Sequence, residues 1–177
     1  MLNATRTDAP TMSSATRRVG YPGELGLPPT GVSFEVPAGW ETSHVPGAMA
    51  VVRDPQPGAS GFHANLVVSV DRVAPDMTLS QTALDVLDDS RATTVSLQLV
   101  DETVLEVRDA PAILREQVIS VQQLAVPLVQ FVLLAVLDVA DGAIRDCLQL
   151  TLSAEAAQRD ALHDHVETLL RTLIVSA

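Results

Sequence analysis

The stretch "RDALHDHVE" holds the densest group of potential ligands in this 177-residue chain. On a helix, positions four apart share a face, so His163 with Glu167, and Asp160 with Asp164, form two neighbouring pairs whose spacing suits a divalent metal. The same spacing arises on any acidic helix, and the simpler reading is a solvated polar face with no metal. Cys147, the single cysteine, follows Asp146, whose charge raises a thiol pKa; it reads as a small strand residue rather than a nucleophile. HExxH, paired CxxC, a Walker loop and GxSxG are all missing, and no spacing ties Ser, His and Asp into a triad. The sequence thus nominates no catalytic residue, no metal ligand and no cofactor.

Binding residues are easier to nominate. Trp40, the only tryptophan, follows "VPAG" at a strand end. There it acts either as a plug over one sheet edge or as an anchor for a ligand or partner, a role for which Trp is favoured. Asn65 enters an apolar strand, where an amide needs a hydrogen-bond partner: a neighbouring loop, or a ligand. His63, Asn65 and Arg115 are the dispersed polar residues that could line a pocket between sheet and helix.

These residues depend on the elements around them. In "GVSFEVPAGW", Val32, Phe34 and Val36 alternate with polar residues as in a half-buried strand, which Pro37 ends. "AMAVVRDP" is a second strand, stopped by "DPQPGASG". "FHANLVVSVDRV" is a third, with Leu66, Val68 and Val70 on one face and Val67 and Ser69 on the other. A helix follows in "MTLSQTALDVLDDSRATTV", capped by Thr78 or Ser80 and striped by Leu79, Ala83, Val86 and Leu87. Two strands then meet around Asp109-Ala110-Pro111. A last helix has Ser153 as its plausible N-cap, with Leu162, Val166, Leu169, Leu170, Leu173 and Ile174 at helical spacing.

Between them lies "VPLVQFVLLAVLDVADG", residues 126–142, the most hydrophobic run. A membrane helix needs roughly 20 apolar residues. Pro127, Gln130, Asp138 and Asp141 leave about half that, so no membrane insertion is expected. As a strand that turns at Asp141-Gly142 into "AIRDCLQLTL", it is the first arm of a hairpin. Phe131, Leu133, Ala135 and Leu137 face one way and Val132, Leu134 and Val136 the other, so both faces need a cover. The chain's own two helices, or one helix and a second copy, can supply it.

Composition narrows the class. Hydrophobic residues make up 47% of the chain and aromatics 3%, so Val, Leu and Ala fill the core. Net charge is −11 and every basic residue is arginine, a bias that resembles GC-rich actinobacterial coding. Such an acidic surface repels phosphate backbones, so nucleic acid is not an expected partner. A lone cysteine, and an N-terminal stretch without an apolar signal core, lead to an expectation of cytoplasmic residence. Residues 1–30, punctuated by Thr, Ser, Pro and Gly, read as a flexible tail, and 31–177 as one domain.

"VSFEVPAGWE", "FHANLVVSVDRV", "MTLSQTALDVL" and "VLEVRDAPAILREQ" together resemble the LpqN/LpqT-type actinobacterial family, within the PsbP-like superfamily. The shared pattern falls on Pro37, Gly39 and Trp40, and on Phe62, Ala64 and Asn65. The resemblance implies a PsbP-like α/β/α sandwich and members that bind or assemble proteins without known catalysis.

The expectation is therefore an α+β fold, a mainly antiparallel sheet of six to seven strands flanked by two main helices. Its expected role is a non-enzymatic protein-binding or adaptor module for secretion or envelope processes, with a protein partner and possible homodimerisation. Trp40, Phe62, His63, Asn65 and Arg115 are its candidate contact residues. The alternative is a small-molecule carrier, or an enzyme with a pocket between sheet and helix.

Overall fold

The computed structural model describes residues 16–21, 30–46, 48–139 and 144–176. In chain order the elements are β1 (Thr16–Tyr21), β2 (Gly31–Pro37), β3 (Glu41–Ser43), β4 (Ala50–Arg53), β5 (Asn65–Val73), α1 (Leu79–Thr93), β6 (Ser96–Val107), β7 (Ala110–Ser120), β8 (Leu128–Val139), β9 (Ile144–Glu155), α2 (Arg159–Thr172) and β10 (Ile174–Ser176). Seven strands form one sheet in the order β3-β4-β5-β9-β8-β7-β6, and β1-β2-β10 form a second, smaller one. Among the described residues every pairing is antiparallel. The expected α+β class is the observed one.

β8 lies inside the large sheet, and the chain covers both of its faces. Phe131, Leu133, Ala135 and Leu137 join β2, β5, β9 and the α2 stripe Leu162, Val166 and Leu169 in the main core. Val132 and Leu134 pack with Ile113 and Cys147 under Ala83 of α1, flanked by Leu79 and Val86. The layers are thus α1, the large sheet, and α2 with the small sheet. A second copy is not needed to bury this strand.

α1 starts where local chemistry starts it. Thr78 accepts from the Gln81 amide while the Gln81 side chain accepts from the Thr78 amide, a reciprocal capping box.

Several expectations need correction. Thr16–Tyr21, within the stretch read as a tail, pairs with β2 from Thr16↔Pro37 to Tyr21↔Val32. Its sequence, "TRRVGY", carries no apolar alternation, because backbone pairing with an existing edge recruits it. Ser153 is not a helix cap: β9 continues to Glu155, and α2 begins only at Arg159. Ile174 leaves the helical stripe and is exposed in β10, where Val175, opposite Val32, is buried instead. The Asp141-Gly142 turn lies outside the described residues, although β8 and β9 pair up to Val139↔Ile144.

The β6–β7 turn is also tighter than expected. Val107 pairs with Ala110, leaving Arg108 and Asp109 as a two-residue loop with φ of 50° and 60°. Both residues are left-handed, as a type I′ turn requires and as Gly adopts most readily. Asp109→Gly is expected to stabilise the fold by about 0.5–1 kcal/mol, measured by urea denaturation.

Candidate functional site

The sequence-nominated residues divide among three places. Trp40 is in the main core at 3% exposure, on the side of the large sheet that α2 covers. Its ring meets His165 edge-on, with centroids 5.8 Å apart. Burial by this packing pushes the His165 pKa below its usual value, against the raising influence of Asp164 and Asp54. The unfolded state therefore takes up a proton near pH 6.5 that the folded state resists, so this contribution to stability is present above pH 6.5 and lost as pH falls. His165→Phe is expected to lose less stability than the parent between pH 7 and pH 5, read from urea midpoints at each pH.

Phe62, His63 and Asn65 belong to the loop between β4 and β5 and the first residue of β5. The His63 ring bonds the Asp54 carbonyl through Nδ1 at 2.8 Å. Asn65 donates to the His63 carbonyl at 2.9 Å, the loop contact that an amide in this strand needs. The same loop wraps the buried Glu155 carboxylate, which accepts from the amides of Ala59 (3.1 Å) and Ser60 (2.7 Å) and from the Ser60 hydroxyl (2.7 Å). Gly58 permits the approach, since a Cβ there would collide with that carboxylate. Gly58→Ala should cost about 1–3 kcal/mol through this overlap, seen as a lowered melting temperature.

Arg115 is buried in β7 at 4% exposure, three strands from Asn65 across the large sheet. It donates to Glu102 of β6 at 2.6 Å and to the Ala83 carbonyl of α1. The five residues therefore do not converge on one site.

The "RDALHDHVE" face is not simply solvated. Arg159 donates through Nε and Nη2 to the buried Glu116 carboxylate of β7, and His163 lies 3.5 Å from it. The His163 ring also stacks edge-on over Phe131 at 4.7 Å. No group of three potential metal ligands forms among the described residues. Cys147 is buried and its thiol is pushed up to about 11, by burial first and Asp71 second, which makes it a poor nucleophile at neutral pH. The neighbouring Asp146 instead takes a hydrogen bond from Thr30 at 2.8 Å.

Among the described residues, two further features are open to solvent. One is a pocket of about 510 Å³ between the start of α1, the β6–β7 turn and the ends of β8 and β9. Met77, Leu79 and Pro111 line it with Arg108, Asp138 and Arg145. Arg145 is already held by Asp138 at 2.7 Å and the Met77 carbonyl at 3.1 Å.

The other is β6, a 12-residue strand at the edge of the large sheet, hydrogen-bonded on one side to β7. Leu99 (40%), Val100 (43%) and Val104 (71%) are exposed along it, and Val95 (70%) just before it. The register slips between Leu99 and Asp101, making Val100 a bulge. Sequence reasoning began this strand at Glu102 and missed its first half. The alternation Leu97, Leu99, then Val104, with one residue too many, was the available signal.

This architecture is an α+β fold of the PsbP-like type. No family model matches the chain, and no curated protein matches it in sequence. Solved structures do. LpqN, described as involved in cell envelope biogenesis of Mycobacterium tuberculosis, superposes with a TM-score of 0.69 at 13% identity, covering 92% of each chain. The cyanobacterial PsbP of Synechocystis gives 0.57 at 19% identity, covering 87% of this chain and 96% of that one. The Ran-binding protein Mog1p of Saccharomyces cerevisiae gives 0.57 at 12% identity, over 90% and 94%. At these identities the likeness is one of fold. No helix among the described residues is long and apolar enough to cross a membrane.

Proposed function

We propose that this chain is a non-enzymatic protein-binding module whose contact surface is the β6 edge. The observation that carries the reading is the exposure of Leu99, Val100 and Val104 on a strand that, among the described residues, pairs on one side only. A long edge strand with exposed apolar side chains is a template for another chain, and its acids and bulge restrict which chain can pair with it. The chemically capable groups support the same reading, because Arg115, Glu116, Glu155 and Cys147 are engaged or buried within the fold. The fold likeness to LpqN and Mog1p, whose descriptions name envelope biogenesis and Ran binding, agrees with an adaptor role, here in envelope or secretion processes.

A photo-crosslinking amino acid at position 104, expressed in the native host, is expected to give discrete protein adducts. The same group at position 167, exposed on α2, should give none. Equal labelling from both sites, or none from either, would overturn the reading.

The pocket favours a second reading, a small-molecule carrier. Fragment screening by NMR decides between them: shifts confined to Met77–Leu79 and Arg108–Pro111 would support a carrier.

A further inference from the structure

The register of β6 indicates what kind of segment fits beside it. Glu102 pairs with Arg115 and Val104 with Ile113, so both point to the α1 side, as does Glu106 opposite Pro111. This row of the edge reads acidic, apolar, acidic at every second residue, and Val104 at its centre is the most exposed apolar side chain of β6. β6 contains Asp101, Glu102 and Glu106 and no basic residue.

These charges also decide against self-pairing. An antiparallel partner β6 centred anywhere in 101–106 places these acids opposite or diagonal to one another, which is unfavourable. Such charges guard an edge against its own kind while leaving it open to an oppositely charged strand.

We infer that β6 accepts an extended segment of a protein partner carrying basic-x-apolar-x-basic residues, added as an eighth strand to the large sheet. The apolar residue meets Val104, and the basic residues meet Glu106 and the Glu102 carboxylate oxygen that does not accept from Arg115. The pattern reads the same in both directions, so it serves a parallel or an antiparallel strand. Alternate β6 amides and carbonyls supply the backbone bonds, and the side chains supply the selection. The inference rests on the binding-module reading and names the chemistry of its partner.

The test is titration of the full chain with a capped peptide centred on Arg-Thr-Val-Thr-Arg. The controls are its Glu-Thr-Val-Thr-Glu counterpart and a version N-methylated on alternate backbone nitrogens. The arginine peptide should shift the backbone resonances of 99–107, bind more weakly as salt rises, and lose binding on N-methylation. Glu106→Lys, an exposed substitution that keeps the fold by circular dichroism, should weaken binding about fivefold.

No binding at millimolar peptide, equal binding of the acidic peptide, or shifts elsewhere on the surface would overturn the inference. Self-association through 99–107 on dilution series would overturn it too. Adducts at position 104 without peptide binding would leave the module reading standing and remove the strand-addition chemistry alone.

Discussion

Leu133→Ala and Leu134→Ala are each expected to lower the unfolding free energy by about 2–5 kcal/mol. The two side chains leave β8 in opposite directions and are both fully buried, Leu133 in the main core with α2 and Leu134 beneath α1. They share no packing cluster but sit side by side on one backbone, so any departure of the double variant from the sum of the two measures coupling through β8. Leu134 carries the sharper test. Burial by α1 within one chain predicts a loss independent of protein concentration, whereas burial by a second subunit would make it concentration-dependent. Denaturation at two concentrations a hundredfold apart reads the difference.

Arg115→Ala is expected to destabilise the fold by about 2–3 kcal/mol, from the loss of two bonds made by a buried charge. Its guanidinium ties the edge strand, through Glu102, to the α1 backbone, through the Ala83 carbonyl. Lysine cannot present the same two-directional fork, so Arg115→Lys should recover only part of the loss. Hydrogen exchange should quicken in α1 and in β6 together. A residue that served only to hold a ligand would leave both stability and exchange unchanged.

Much of the scaffold was legible from local pattern. The alternation in "FHANLVVSVDRV", the capped stripe of α1 and the aliphatic stripe of α2 each declare which side is buried, because strand and helix periods differ. The β8 run announced a doubly covered strand. The short strands β1, β3 and β10 were not legible, since three to six residues recruited by a neighbouring edge need no pattern of their own.

The candidate site was legible only in fragments. Trp40 and Arg115 stand out by type, yet type does not distinguish a contact residue from a core residue. Trp40 is enclosed by the side of the sheet that α2 covers, and Arg115 by α1 and β6, through contacts distant in sequence. Asn65 needed a partner on energetic grounds, and the adjacent loop provides it.

The sequence by itself determined the types of the longer elements, the α+β class, the double burial demanded by β8 and the acidic excess of the chain. These follow from periodicity, transfer energetics and charge, which are properties of short windows or of the whole composition. Tertiary structure decided which strand lies at the edge. A strand reads the same whether one or both of its sides are paired, and only the order β3-β4-β5-β9-β8-β7-β6 leaves Val104 and its flanking acids facing outward.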